Sequence, residues 1–148
     1  MILETNRESG ILDRAYSLNQ RIESDMRELD ELKQLSRCIA SPGFEQKYDP
    51  NRSTEAPFEK AVMKINLMEE RINREVDRLV DMKFAIHDAI DLLPDVKEQL
   101  VLRERYIHFK TWKDIAKESG YSVRWVQKLH DRAVGEFEKN LEKCTKVR

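Results

Sequence analysis

The chain has 148 residues, of which 37% are charged and 40% apolar, and it carries a net charge of −1 with only four glycines and four prolines. This composition favours long helices with solvated faces and excludes a fold built from many strands and tight turns. Two isolated cysteines, Cys38 and Cys144, argue against a disulfide framework or a zinc site. No apolar run is long enough to span a bilayer and the first ten residues lack a signal-peptide pattern, so we expect a cytoplasmic protein without a membrane segment.

The charge is distributed unevenly along the chain. Residues 1–93 hold 14 lysines and arginines against 19 acidic residues, a net charge of −5, whereas residues 94–148 hold 13 against nine, a net charge of +4. A chance distribution in a charge-rich chain is one explanation. The other is that the C-terminal part approaches a polyanion such as DNA.

The first predicted element is a long helix that starts near Ile11. Its apolar residues recur at alternating steps of four and three, the heptad pattern of helices that pack side by side. The helix should end at the Ser-Pro-Gly sequence of residues 41–43, and residues 41–57, with three prolines, indicate a flexible connection. The predicted seam consists of Ile11, Ala15, Leu18, Ile22, Asp25, Leu29, Leu32, Ser36 and Ile39, with Asp25 and Ser36 as polar interruptions.

A second long helix should follow and end at about Asp91. We expect the two helices to fold back on each other as an antiparallel, coiled-coil-like hairpin over residues 1–91. The heptads serve either an intramolecular core alone or also a homodimer or higher oligomer through residues 11–93, in which two hairpins form a four-helix bundle. Polar seam residues would then set the register. The predicted seam of this helix consists of Phe58, Val62, Ile65, Glu69, Ile72, Val76, Leu79, Lys83, Ile86 and Ile90.

Three shorter helices are predicted after Pro94, in a second domain that covers residues 92–148. The middle helix should open at Thr111, a good N-cap, and stop at Gly120. The last helix should open at Ser122. In the first of the three, the residues predicted to face inward are Val96, Leu100, Val101 and Tyr106.

The last two helices satisfy the spacing of a helix-turn-helix, in which two helices cross closely across a short turn. Ala116 is small enough to let the helices approach, Gly120 tolerates a positive φ in the turn, and Val126 fills the crossing. The alternative is a helical corner without a role in DNA binding. The apolar set is completed by Ile115, Tyr121 and Leu129.

The free face of the last helix carries the residue types that read DNA. Arg124 suits guanine edges, Gln127 adenine edges and Lys128 phosphates. Trp125 either stacks on DNA or packs against the flank of the domain, and Ser122 caps the helix and is able to donate to a phosphate. Each of these residues, taken alone, is also an ordinary surface residue. The candidate contacts to the DNA backbone are Lys110, Thr111, Lys113 and Arg132.

The stretch LLPDVKEQLVLRERYIHFKTWKDIAKESGYSVRWVQKLHDRA, which begins at residue 92, resembles the fourth conserved region of bacterial sigma factors. The shared features are a leucine-proline opening, Arg105 and Tyr106 at the end of one helix, a threonine that opens the next, a glycine-x-serine turn, and Arg132 and Ala133 near the close. The resemblance covers residues 92–139. It implies a three-helix, sigma-region-4-like helix-turn-helix domain.

The whole chain is similar to the ArpU-like and RinA-like late-gene transcriptional regulators of phages and prophages of low-GC Gram-positive bacteria. In those proteins a helical half with a segment like INREVDRLVDMK, here residues 72–83, precedes a sigma-region-4-like domain. The resemblance implies sequence-specific binding to the double-stranded DNA of a phage promoter, inside the bacterial host, with RNA polymerase as a further candidate partner. The first 91 residues lack the regions with which a complete sigma factor melts promoter DNA.

Other functions compete with this interpretation. His87, His108 and His130 stand apart without nucleophile or metal-ligand spacing, so we expect no enzymatic activity, no catalytic residue, no metal and no cofactor. A phage DNA-packaging adaptor of the small-terminase type also combines a helix-turn-helix with oligomerising helices, although its DNA-binding module usually comes first. A module that binds RNA polymerase without specific DNA contact is the third possibility.

Overall fold

A computed structural model describes residues 10–40 and 56–146, which form five helices and no strand. The predicted all-α fold class is therefore confirmed for these residues. Most of the predicted connection at residues 41–57 lies outside them. The helices are α1 (Gly10–Ala40), α2 (Ala56–Asp91), α3 (Val96–Tyr106), α4 (Trp112–Ser119) and α5 (Val123–Lys146).

The described chain divides into two compact units. The large unit comprises residues 10–19 and 78–146, and the small unit comprises residues 20–40 and 56–77. The division falls inside both α1 and α2. The predicted domains, residues 1–91 and 92–148, divide the chain at a different place and stay a prediction.

In the small unit, the predicted seam of α1 is its less exposed side. Ile22 and Asp25 are buried, and the remaining seam positions up to Ile39 are partly buried. Ion pairs join this helix to α2, with Nε of Arg21 3.3 Å from Oε1 of Glu75 and Nζ of Lys33 3.3 Å from Oε1 of Glu69. Both ion pairs connect residues of the small unit.

The predicted seam of α2 is wrong at three positions, which are exposed: Phe58, Val62 and Val76. At the last of them the neighbouring Glu75 is buried instead. Its carboxylate lies 3.3 Å from Arg21 and 3.4 Å from Arg71, and these cations allow a charged residue to occupy a seam position. A second heptad therefore describes the less exposed side of α2: Ala61, Ile65, Met68, Ile72, Glu75, Leu79, Met82, Ile86 and Ala89.

In the large unit, α3, α4 and α5 pack around a shared apolar cluster. Trp112 packs against its edge and is partly buried. The predicted inward positions of Val126 and Leu129 are confirmed, because their exposed fractions are 0% and 4%. The cluster consists of Val101, Ile115, Ala116, Val126 and Leu129.

The predicted inward face of α3 is correct for Val101 and Tyr106 but wrong for Val96 and Leu100, which are 75% and 51% exposed. The buried residues of this helix are Glu98, Val101, Leu102 and Tyr106, which follow the helical period from position 98. Positions 96 and 100 therefore lie outside the buried side of α3. Asp95 caps the helix by accepting a 2.9 Å hydrogen bond from the backbone N–H of Lys97, so Pro94 lies just before the cap.

Candidate nucleic-acid interface

The starts of α4 and α5 and the turn between them are fixed by nearby residues, as predicted from the sequence. Oγ1 of Thr111 accepts a 3.2 Å hydrogen bond from the backbone N–H of Asp114, and Oγ of Ser122 accepts one of 3.2 Å from the N–H of Trp125. Gly120 ends α4 with φ +78°, a conformation that costs glycine less than other residues. The turn between α4 and α5 is therefore short, and Gly120 and the cap at Ser122 fix its backbone conformation.

The first half of α5 separates an apolar side from a polar side. Val126, Leu129 and Ala133 are buried against the rest of the large unit. The opposite side is exposed and carries, one helical turn apart, the predicted readout residues. This exposed side consists of Arg124, Gln127, Lys128 and Asp131, of which Asp131 was not among the predicted contacts.

Two aromatic side chains flank this polar side. Trp125 is 44% exposed and Tyr121 is 40% exposed, with their ring centroids 6.2 Å apart. The prediction that Tyr121 completes the apolar core is therefore wrong. Its position directly after Gly120, in the turn, was the sequence signal for exposure. Nζ of Lys97 lies 5.9 Å from the centre of the Tyr121 ring.

The predicted backbone contacts at the start of α4 differ in their surroundings. Lys113 and Thr111 are exposed. The ammonium of Lys110 instead forms ion pairs with Glu104 and Glu118, the second at 2.6 Å. Hydrogen bonds to these two carboxylates raise the pKa of Lys110 to about 12. A phosphate would have to compete with both of them for this lysine.

Arg132, the remaining predicted phosphate contact, is exposed on α5, and its Nε lies 4.0 Å from Oε1 of Glu98. Glu98 itself is 4% exposed. Burial raises the pKa of Glu98, with further raising contributions from Asp95 and Glu136, and Arg132 opposes the shift. The guanidinium of Arg132 is thus exposed to solvent and also lies near the buried carboxyl of Glu98.

The buried carboxyl of Glu98 should make the stability of the large unit depend on pH. Its pKa in the folded chain lies above the ordinary value of 4.5. Its contribution to the free energy of unfolding is therefore complete below pH 4.5 and is lost as pH rises through the folded pKa. We expect Glu98→Gln, which removes the charge at nearly constant shape, to raise the unfolding temperature at pH 7 and to give a smaller gain at pH 4. Thermal unfolding followed by circular dichroism at both pH values measures this, and a lower midpoint than wild type at pH 7 would contradict it.

A cation between two aromatic rings anchors the segment that leads into α4. The guanidinium carbon of Arg105 lies 4.3 Å from the centre of the Tyr16 ring and 4.2 Å from that of Trp112. Nη1 of Arg105 donates a 3.0 Å hydrogen bond to the backbone carbonyl of Lys110. Phe109, in the same segment, has φ +55°. Sequence reasoning missed this stack, because it depends on Tyr16, which lies almost 90 residues away from Arg105 in the chain.

His87 and His130 have separate partners. Nδ1 of His87 lies 3.2 Å from Oδ2 of Asp91, and Nε2 of His130 lies 2.6 Å from the hydroxyl of Tyr106. Burial lowers the pKa of His130, and Asp131 opposes the shift. Among the described residues, no group of three or more His, Cys, Asp or Glu side chains is placed to hold a metal ion.

No protein-family model, curated protein or solved structure matches this chain. Within residues 10–40 and 56–146, none of the helices combines the length and the apolar content that crossing a bilayer requires.

Proposed function

We propose that this chain is a sequence-specific DNA-binding transcriptional regulator of phage late genes, acting in the cytoplasm of a bacterial host. In this proposal residues 92–148 form a sigma-region-4-like helix-turn-helix domain whose α5 enters the major groove. One observation carries it: Arg124, Gln127 and Lys128 share the exposed side of α5, opposite the buried apolar cluster. A helix held by its apolar side presents its other side to a groove.

Each exposed side chain of α5 has a matching group on DNA. Arg124 donates to a guanine edge and Gln127 exchanges hydrogen bonds with an adenine edge, while Lys128 contacts phosphate. Trp125, which is half-exposed, offers apolar area to a thymine methyl group. Asp131 repels phosphate and accepts from cytosine, so it adds selectivity at the far end of this side.

The remaining contacts position the domain on the duplex. Lys113 and Thr111, exposed at the start of α4, contact the phosphates of one strand, and Arg132 contacts those farther along α5. Ser122 brings the N-terminus of α5, with its partial positive charge, to a phosphate. Lys110 contributes less than Lys113, because Glu104 and Glu118 already bind its ammonium.

The two long helices complete the proposed regulator as an antiparallel hairpin that forms a homodimer or higher oligomer. The ion pairs Arg21 with Glu75 and Lys33 with Glu69 support the antiparallel direction. A net charge of +4 on residues 94–148 gives a single copy few phosphate contacts, and its binding should fall steeply with salt. Two copies double the contacts and require half-sites about one helical turn, or a multiple of it, apart.

Base readout is tested by selection from a random-duplex pool at fixed salt, with wild type, Arg124→Ala and Lys113→Ala in parallel. We expect an enriched motif that loses one base preference in Arg124→Ala, at a cost of about 1–3 kcal/mol for the preferred base. Lys113→Ala is the control: it should keep the motif, weaken all sequences equally and reduce the salt slope by about 1. An unchanged motif in Arg124→Ala would contradict the proposed docking.

A second candidate function is a module that binds RNA polymerase without specific DNA contact. A cavity of about 470 Å³ lies between α3, α4 and α5, with apolar walls that include Leu100 and Leu129 and charged residues that include Lys97 and Glu118. The cavity offers room for an apolar side chain of a protein partner. Absence of any enriched motif in the selection, with binding to polymerase lost in Leu100→Lys, would favour this candidate.

A further inference from the structure

The first turns of α2 in the small unit expose a continuous apolar face. Phe58 is 42% exposed, Val62 37%, Met63 63% and Leu67 58%. Together with Glu59 and Asn66 they line a shallow groove of about 400 Å³. We call these six residues the α2 face.

The small unit buries little apolar surface of its own. Among its described residues, the buried apolar side chains are those of Ile22 and Ile72, and Asp25 and Glu75 occupy the other buried positions. Two helices with so small a core are marginal by themselves. A contiguous exposed apolar face next to such a core is typical of a surface that binds another protein.

The order of residues in the α2 face identifies the partner. Taken in order, the six residues of the α2 face are apolar, polar, apolar, apolar, polar and apolar, so their pattern is the same in both directions about the point between Val62 and Met63. In a two-fold symmetric antiparallel contact, residue i faces residue j of the second copy and residue j faces residue i, so this pattern places apolar residues opposite apolar ones and polar residues opposite polar ones. We propose that the α2 face binds the α2 face of a second copy in antiparallel orientation, with the two-fold axis between Val62 and Met63.

The side chains that this pairing brings together match in chemistry at each position along the two helices. Phe58 packs on Leu67 of the second copy and Val62 on Met63 of the second copy, twice each by symmetry. The carboxylate of Glu59 accepts a hydrogen bond from the amide of Asn66 of the second copy, so the polar residues along the centre of the face are partnered. The inference specifies the homo-oligomer part of the proposed function and rests on it, but it is independent of the DNA contacts.

Opposite charges placed across the axis test the orientation. We expect Val62→Lys and Met63→Glu each to weaken self-association of the full chain by more than about 100-fold, because each buries a charge without a partner. An equimolar mixture of the two variants should associate again, since antiparallel pairing puts the new lysine opposite the new glutamate. Analytical ultracentrifugation of wild type, each variant and the mixture measures this. A monomeric wild type, variants that remain dimeric, or a mixture that stays monomeric would each overturn the pairing.

Gln34→Lys is the matched control, because it adds the same charge at an exposed position of α1 in the same unit and should leave association unchanged. Circular dichroism checks that the variants keep wild-type helicity. If either does not, Phe58→Glu and Leu67→Lys form an equivalent complementary pair with the same readout. A chain that dimerises without selecting a DNA motif would refute only the DNA readout. A monomer that selects a motif would refute only the pairing.

Discussion

Val126→Asp is expected to unfold the large unit and, with it, to abolish the proposed DNA binding. The side chain of Val126 is 0% exposed and belongs to the cluster that α3, α4 and α5 share. A buried carboxyl there must either remain charged in an apolar surrounding or bind a proton at neutral pH. Keeping an aspartic acid with an ordinary pKa of about 3.9 protonated at pH 7 costs about 4 kcal/mol, a large part of the stability of a typical domain.

Gln127→Asp separates the effect of folding from the effect of readout. Residue 127 is exposed on the next position of the same helix, so the change should alter the free energy of unfolding by no more than about 0.5 kcal/mol. In the proposed interface the new carboxylate meets DNA, and binding should still be lost. Urea unfolding and duplex binding of both variants measure the two effects. Wild-type stability of Val126→Asp would contradict the described core, and wild-type DNA binding of Gln127→Asp would contradict the proposed readout face.

Replacing both buried carboxylates of the small unit, Asp25→Leu with Glu75→Leu, is expected to raise the free energy of unfolding by about 1–4 kcal/mol. Both residues are 7% exposed, and one carboxylate oxygen of each is buried without a hydrogen-bond partner among the described residues. Arg71 and Arg21 lie within 3.7 Å of these carboxylates but keep much of their own side chains in solvent. Apolar side chains at these positions avoid the cost of burying the charges.

Two further variants show whether burial causes this effect. Arg71→Ala removes a cation near both carboxylates and should lower the free energy of unfolding by about 1–3 kcal/mol. Lys33→Ala breaks an ion pair with Glu69 in which both side chains are over 40% exposed. This variant should change the free energy of unfolding by less than about 1 kcal/mol. Urea unfolding of all three proteins provides the comparison. A double leucine variant less stable than wild type would show that the carboxylates contribute net stability.

The features that could be predicted from sequence are those that local chemistry decides. Thr111, Gly120 and Ser122 mark helix ends because their side chains, or the lack of one, act on backbone groups within three or four residues. From Ile22 onward the seam of α1 was predictable because its heptad has few competing apolar residues, whereas at the start of the helix Leu12 is fully buried and the predicted Ile11 only partly. Asp25 continues that seam even though it is charged, since the period outweighs one polar residue.

The features that could not be predicted depend on residues far apart in the chain. In α2, the periodicity allows either Glu75 or Val76 at the buried seam position, and hydrophobicity alone predicts Val76. Glu75 occupies it because Arg21, on another helix, reaches its carboxylate. In α3, apolar residues occur on both sides of the helix, so Val96 and Leu100 were assigned to the wrong one.

The same reason accounts for the uneven prediction of the candidate site. The face that contains Arg124, Gln127 and Lys128 follows from the helical period once Val126 is assigned to the core. The ion pairs of Lys110 with Glu104 and Glu118 form only when α3 and α4 pack against each other, so the sequence alone did not predict them. The antiparallel pairing of α1 and α2 and the role in DNA binding stay proposals.

The two tryptophans of the chain occupy different surroundings, and this gives the protein two intrinsic fluorescent reporters. The Trp112 ring is stacked on Arg105 and lies 4.7 Å from the centre of the His130 ring, so its emission depends on the packing of the large unit. Trp125 is half in solvent, beside the residues proposed to read DNA, and its emission depends on what covers that face. Spectra of the two single-tryptophan proteins therefore distinguish loss of packing from occupation of the face, without any added label.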